Sequence, residues 1–196
     1  MAKTNINGLI KKDDAAQAII AMINTSSEAG HLIADSEIVL RAIKEQQLTT
    51  LSSSPEKEVG SILKNIVEVD REIFFLAGLD GSRLYYTSRF MTEAYAVILL
   101  HKRDDQFHLI AEVVRQNSKS YPRPVPLDMF CEKPFEFTNQ EVMDSLVLMS
   151  KDNSYGDIVK TTTSTSRIFL YSLLHLEPDH ASMLAEWFDV GRSNNP

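Results

Sequence analysis

Histidine and cysteine are the side chains that most often bind metals or act as bases and nucleophiles. This chain has one cysteine, Cys131, and five histidines, at positions 31, 101, 108, 175 and 180. No two histidines form the H-E-x-x-H arrangement of a zinc site, and Cys131 has no partner at metal-ligand spacing. The sequence also lacks a G-x-S-x-G nucleophile motif, and GLDGSR lacks the Lys-Ser/Thr that completes a phosphate-binding loop.

These absences predict no catalytic residues, no cofactor and no metal site. A small-molecule hydrolase stays open as an alternative, because the residues of a Ser-His-Asp site obey no fixed sequence spacing. We therefore expect that the chain is not an enzyme.

Three basic residues stand beside the turns of two predicted β-hairpins. Arg83 follows Asp80-Gly81, while Lys160 and Arg167 flank the hydroxyl-rich stretch TTTSTS. Cations and hydroxyl groups are the donors that contact the phosphate oxygens of DNA. Arg83, Lys160 and Arg167 are therefore candidate phosphate contacts, and a solvated polar hairpin is the alternative interpretation.

A second candidate site is apolar and lies in the segment PVPLDMFCEKPFEF. It holds five large apolar side chains, Leu127, Met129, Phe130, Phe135 and Phe137. A short irregular segment interrupted by prolines has difficulty burying so many apolar groups within a small module. These residues are candidate partner-binding residues, and the alternative is that they seal two modules together.

The basic candidates require two hairpins to position them. Strand-forming runs, EIFFLAGL and RLYYT, flank Asp80-Gly81, a dipeptide that favours the tight turn of a hairpin over residues 72–87. The stretch DIVKTTTSTSRIFLYS predicts a second hairpin over residues 157–172.

Helices surround both hairpins. Apolar residues recur at helical spacing, and a T-x-x-E capping box begins at Thr138. The segment YPRPVP between them must be extended because of its three prolines. The predicted helices include 14–23, 55–67, 88–102, 139–150 and a last helix that begins at Pro178.

The order of elements in the first half of the chain recurs in the second half. At a shift of 84 positions, Ser82-Arg83 overlies Ser166-Arg167 between the two predicted strands. This pattern predicts a mostly helical α+β fold of two tandem modules, each with a two-stranded hairpin. We place a flexible tail at 1–11 and the modules at 12–103 and 104–196.

Helices followed by a hairpin and a closing helix, twice in tandem, resemble the winged-helix variant of helix-turn-helix proteins. The resemblance implies that the third helix of each module, 55–67 or 139–150, would enter the major groove of DNA while the hairpin tip touches its backbone. The first of these helices mixes lysines with glutamates, and the second has no cation before Lys151. Acidic members of such families bind other proteins.

Net charge and composition favour a protein partner. The 196 residues are 43% hydrophobic and 24% charged, with a net charge of −7 that opposes approach to a polyanion. We expect a cytoplasmic protein–protein interaction or assembly module, without membrane attachment, because no signal segment or long apolar run occurs. A DNA-binding transcriptional or replication regulator is the alternative, and a homo-oligomer stays open.

Overall fold

The computed structural model describes residues 6–44 and 54–191, and it describes side chains from residue 14 onward. The chain divides into two compact units between Leu100 and His101, three residues before the boundary expected from the sequence. The mostly helical α+β fold is confirmed. Elements of the first unit are α1 (Ile6–Glu28), β1 (Ile33–Ala34), α2 (Asp35–Lys44), α3 (Pro55–Val69), β2 (Ile73–Ala77), β3 (Arg83–Thr87) and α4 (Glu93–Asp104), which continues past the division.

The second unit follows the same order of elements, with one helix shortened. Where the first unit has α2, the second has a 3₁₀ helix, Leu127–Cys131. Its other elements are α5 (Gln106–Ser120), β4 (Val125–Pro126), α6 (Asn139–Met149), β5 (Ile158–Thr162), β6 (Ile168–Ser172), α7 (Pro178–Glu186) and a π-helical turn, Trp187–Gly191.

The first helix is longer than the sequence pattern predicts. Residues 6–11, expected as part of a flexible tail, belong to α1, while residues 1–5 lie outside the described part of the chain. The segment NGLIKKDD that precedes the apolar pattern contains no proline, so nothing in the backbone stops the helix from extending toward the N-terminus.

Each unit builds a three-stranded antiparallel sheet, because a short strand pairs with the two-stranded hairpin that the sequence predicts. The strand orders are β1-β3-β2 and β4-β6-β5, so the second strand of each hairpin is central. The added strands are two residues long: Ile33 of β1 pairs with Tyr85, and Val125 of β4 pairs with Leu170. Ile33 and Val125 are buried, which explains why such short strands are retained.

The two hairpins correspond at a shift of 85 positions, where the sequence comparison uses 84. Tyr85 and Leu170 occupy the same place in their sheets, and Ser166, with a φ of 70°, matches Gly81, with a φ of 81°. A slip of one residue turns every strand side chain to the opposite face. Arg83 therefore begins β3, whereas Arg167 lies in the turn before β6, so these two arginines are not equivalent.

A buried hydroxyl connects the first helix to the central strand in both units. The Ser27 hydroxyl accepts a hydrogen bond from the Thr87 backbone N–H at 3.0 Å, and the Ser118 hydroxyl accepts one from the Ser172 backbone N–H at 3.1 Å. All four residues are buried. Because buried backbone groups need partners, the two serines determine where α1 and α5 meet their sheets.

The second unit adds an ion pair at this place. Arg115 on α5 donates from Nε to Asp157 at 3.0 Å, and from Nη2 to the backbone carbonyl of Ser154 at 2.7 Å. The Ser172 hydroxyl donates to the same Asp157 carboxylate at 2.6 Å. The Arg115 hydrogen bond holds the pKa of Asp157 below its usual value, and the bond from Ser172 acts in the same direction against desolvation.

We expect Ser118→Ala to lower the free energy of unfolding by about 1–3 kcal/mol, because the buried N–H of Ser172 loses its acceptor. Urea denaturation measures this change. Ser120→Ala, at an exposed position on the same helix, is the matched control and should change stability by about 0.5 kcal/mol or less. Equal effects of the two substitutions would contradict the role given to Ser118.

A second prediction concerns pH. The depressed pKa of Asp157 contributes stability above the pKa of an unfolded aspartate, about 3.9, and this contribution is lost as the pH falls through the lower folded value. We expect Asp157→Asn to reduce the acid-induced loss of stability measured by urea denaturation across that window. Asp152→Asn, which leaves the Arg115 pair intact, should keep the wild-type pH dependence.

Candidate functional site

Arg83 lies in a strand and covers an aromatic ring. Its guanidinium carbon is 5.1 Å from the centroid of the Phe75 ring on the neighbouring strand, and its side chain is hydrogen-bonded to Tyr85. The side chain is exposed, as a phosphate contact requires. It stands at the start of β3, opposite Ala77, and not at the tip of the hairpin.

Arg167 is paired with carboxylates. Its Nε donates to Asp128 at 2.9 Å, and its Nη1 lies 3.7 Å from a carboxylate oxygen of Asp189. A cation with two acidic neighbours presents little net positive charge to a phosphate. The pattern of residues did not indicate this pairing because both carboxylates are more than 20 positions away.

The hydroxyl groups of the second hairpin tip are also directed at carboxylates. Thr163 and Thr165 both donate to Asp189, and the Ser164 hydroxyl donates to Glu186. The hydrogen bonds from the two threonines lower the pKa of Asp189. The TTTSTS tip is therefore held against the acidic C-terminal helix, an arrangement that opposes binding of a polyanion. Lys160, on β5, is exposed.

The apolar candidate segment is a core element, so the expected contact surface is corrected. Leu127, Phe130, Phe135 and Phe137 are buried, and Met129 is half-buried. The segment closes on itself, since the Phe137 backbone N–H donates to the Phe130 carbonyl at 2.9 Å and the Phe130 and Phe135 rings are 5.3 Å apart. Its 3₁₀ helix, Leu127–Cys131, provides internal hydrogen bonds to the backbone between the prolines.

The helices at the predicted groove-reading position differ between the units. On α3 the exposed face includes Lys57, Ser61 and Lys64. On α6 the exposed residues include Gln140, Asp144 and Leu148, and no cation belongs to this helix. The first helix exposes two cations together with Glu56 and Glu68, whereas the second exposes no cation and adds apolar side chains to its carboxylates and amides.

An apolar groove accompanies the exposed face of α6. It has a volume of about 360 Å³ and is lined by residues of α6 and β5. Val147 and Leu148 are 55% and 51% exposed. The lining residues are Met143, Leu146, Val147, Ser150, Ile158, Val159 and Lys160.

The sequence contains a signal for this surface that belongs to no chemical motif. Four consecutive apolar residues, Leu146–Met149, occupy about one turn of helix, and one side of a helix does not contain all four. Met149 is buried while Val147 and Leu148 are exposed, so the run extends from the core to the surface.

The histidines and the cysteine form no metal site in the described part of the chain. The rings of His101 and His108 lie 5.3 Å apart, but among the described side chains no group of three or more His, Cys, Asp or Glu has metal-binding geometry. The Cys131 thiol donates to Asn139 at 3.0 Å. Within the described residues, none of the helices combines the length and apolar character that crossing a bilayer demands.

Comparison with known proteins shows that this chain is similar to one protein and to one family model. A family model, the YdhW C-terminal domain, matches residues 103–193. The second unit is thus similar to that domain. The chain is also 28% identical over 190 residues to an uncharacterised protein, YdhW of Escherichia coli (strain K12). The matched region covers 95% of this chain and 84% of that protein. No solved structure matches.

The YdhW-similar segment contains the α6–β5 groove, the hairpin tip that Glu186 and Asp189 hold, and the buried rings of Phe130 and Phe135. It begins at residue 103, close to the division after Leu100. The features by which the second unit differs from the first therefore lie within the segment that is similar to the YdhW C-terminal domain.

We expect Phe130→Ala to lower the free energy of unfolding by about 3–5 kcal/mol, because the side chain is buried and its loss leaves a cavity. Thermal or urea denaturation tests this. Leu174→Ala, at an exposed position of the same unit, should change stability by about 0.5 kcal/mol or less. A Phe130→Ala protein of unchanged stability would restore the interpretation of this segment as a contact surface.

Proposed function

We propose that the chain is a non-enzymatic protein-interaction module made of two winged-helix-like units, and that the second unit binds its partner through the α6–β5 groove. The winged-helix assignment is supported by the order of helix, short strand, helix or 3₁₀ helix, helix and hairpin in both units. It is supported further by the central position of the second hairpin strand in each sheet.

The observation that carries the functional proposal is the surface of α6. A groove-reading helix would need cations, and α6 has none; its exposed amides, Asn139 and Gln140, lie at its start beside Glu141. Further along, α6 exposes Val147 and Leu148 beside an apolar groove. Protein interfaces obtain most of their binding energy from a few apolar anchors buried in pockets of this kind. The carboxylates of Glu186 and Asp189, which hold the adjacent hairpin tip, disfavour nucleic acid on the same unit.

The partner surface that fits this groove carries an apolar anchor, with cationic or neutral residues around it. Asp144 is exposed on the same helix face and would repel an acidic partner. Lys160 on β5 is the one basic residue among those that line the groove. A partner with a basic rim would therefore meet mainly carboxylate on the α6 side.

DNA binding is a second candidate function, and a specific observation on the first unit supports it. Lys57 and Lys64 lie on the exposed face of α3, and Arg83 is exposed on the hairpin of the same unit. Three such cations are few, because each phosphate contact contributes only one released counterion to affinity. We therefore place this candidate below protein binding.

The test is capture of partners from native cells by the tagged 196-residue chain, with and without nuclease. We expect Val147→Asp with Leu148→Asp to abolish capture and to leave the melting temperature nearly unchanged, because both side chains are exposed. Leu174→Asp, at a still more exposed apolar position on the same unit, is the control and should retain capture.

The same preparation separates the two candidate functions. Retention of the captured proteins by the double variant would contradict the role of the groove. Loss of all captured material on nuclease treatment, together with duplex binding that weakens in Lys57→Ala with Lys64→Ala, would favour DNA binding instead.

A further inference from the structure

The edge strand β2 of the first unit is unusually apolar. Its sequence is IFFLA, without a charge or a proline, and Phe74 and Phe75 are 43% and 41% exposed. On its other side from β3, β2 pairs with no strand in the described residues. Edge strands of soluble proteins usually carry a charge or a proline that prevents pairing with another chain. The absence of both leaves β2 ready to accept a further strand.

The hydrogen-bond pattern shows which backbone groups point away from the sheet. The Gly78 N–H donates to the Ser82 carbonyl at 2.9 Å, and the Ser88 N–H donates to the Glu72 carbonyl at 2.8 Å. Because bonded pairs alternate in an antiparallel ladder, the even-numbered residues of β2 bond to β3. The N–H and C=O groups of the odd-numbered residues therefore face the free edge. These residues are Ile73, Phe75 and Ala77.

The corresponding edge strand of the second unit, β5, carries a charge that disfavours pairing with another strand. By the same alternation, Ile158, Lys160 and Thr162 of β5 direct their backbone groups outward. Lys160 stands at the centre of this set, and the Ile158 N–H is already bonded to the Tyr155 carbonyl at 2.9 Å. Two copies of β5 joined about their centre would place one lysine directly opposite the other, which is destabilising.

Two copies of β2 have no such conflict. When two β2 strands pair antiparallel about Phe75, Ile73 lies opposite Ala77 of the second copy and Phe75 lies opposite Phe75. The three outward residues then form three pairs that each exchange two bonds, so about six backbone hydrogen bonds join the copies. At the flank, Glu72 lies opposite Gly78 of the second copy, so no like charges meet next to the strand.

The side chains complement this backbone register. The two Phe75 rings form an aromatic cross-strand pair at the two-fold axis, and each is already covered on its own sheet by the Arg83 guanidinium. On the opposite face, Phe74 stacks on Tyr86 with ring centroids 5.8 Å apart. Both faces of the joined sheet therefore carry aromatic side chains across the contact.

We propose that the occupant of the β2 edge is a second copy of this chain, and that the protein is a two-fold symmetric dimer with β2 paired to β2 in one continuous six-stranded sheet. This contact lies on the first unit and does not involve the α6–β5 groove. Its test is therefore separate from that of the proposed function.

The first experiment measures the mass of the full-length chain by sedimentation across a wide range of concentrations. We expect a species of twice the 22.1 kDa chain mass. Phe75→Lys places two lysines opposite each other at the two-fold axis, and it should raise the dissociation constant of the dimer by about tenfold or more. Leu79→Lys makes the same change of charge at an exposed turn position beyond the strand, and it should leave the dimer intact.

Site-specific crosslinking tests the register even if Phe75→Lys fails to fold. In a Cys131→Ser background, Phe75→Cys brings two cysteines directly opposite each other, at a Cα separation of about 5.5 Å that suits a disulfide. Phe74→Cys is the matched control, because Phe74 has similar exposure but lies opposite Leu76 of the second copy. We expect a disulfide-linked dimer from the first variant and little from the second.

Three results would overturn the proposal. The first is a monomer at every concentration together with no crosslink from Phe75→Cys. The second is a dimer that persists in the Phe75→Lys variant and links equally through either cysteine, since this would place the contact elsewhere. The third is pairing of the β2 edge only with an extended segment of another protein. In that case the chain would be a monomer, and its Phe75→Cys variant would crosslink to that protein alone.

Discussion

A buried serine hydroxyl that accepts the backbone N–H at the end of the central strand is the contact on which each unit depends. It occurs as Ser27 with Thr87 in the first unit and as Ser118 with Ser172 in the second. On one side, the central strand pairs with a strand of only two residues. The backbone N–H at the end of the central strand lies beyond that pairing, so it needs another hydrogen-bond acceptor. The first helix provides that partner, and its position against the sheet follows from this bond.

Around this shared contact the two units have different surfaces. In the second unit the hairpin tip and its arginine are held by Asp128, Glu186 and Asp189, and the exposed helix is apolar and acidic. In the first unit the arginine covers an aromatic ring, and the exposed helix presents two lysines. Core positions are constrained by packing and buried hydrogen bonds, whereas surface positions can change at little cost in stability. One framework thus carries two different surfaces.

The sheet edges differ for a related reason. Both sheets end in a hairpin strand of five residues, but Lys160 lies at the centre of β5 while Phe75 occupies the corresponding place in β2. A charge at the centre of an edge prevents pairing of like strands, and an aromatic residue there favours it. The second unit therefore has a groove beside an edge strand, β5, whose central lysine disfavours pairing. The first unit has an edge strand, β2, without a charge.

The sequence by itself determined the mostly helical α+β class, both hairpins and the Thr138 capping box, because turn residues, caps and apolar periodicity act over a few neighbouring positions. It did not determine the register of the repeat, since a shift of one residue preserves the local pattern and only the strand pairing of the folded units distinguishes the two. It also did not determine the surroundings of Phe130 and Arg167. Whether a phenylalanine is buried, or an arginine is paired with carboxylates, depends on residues distant in the chain. Tertiary packing alone brings those residues together.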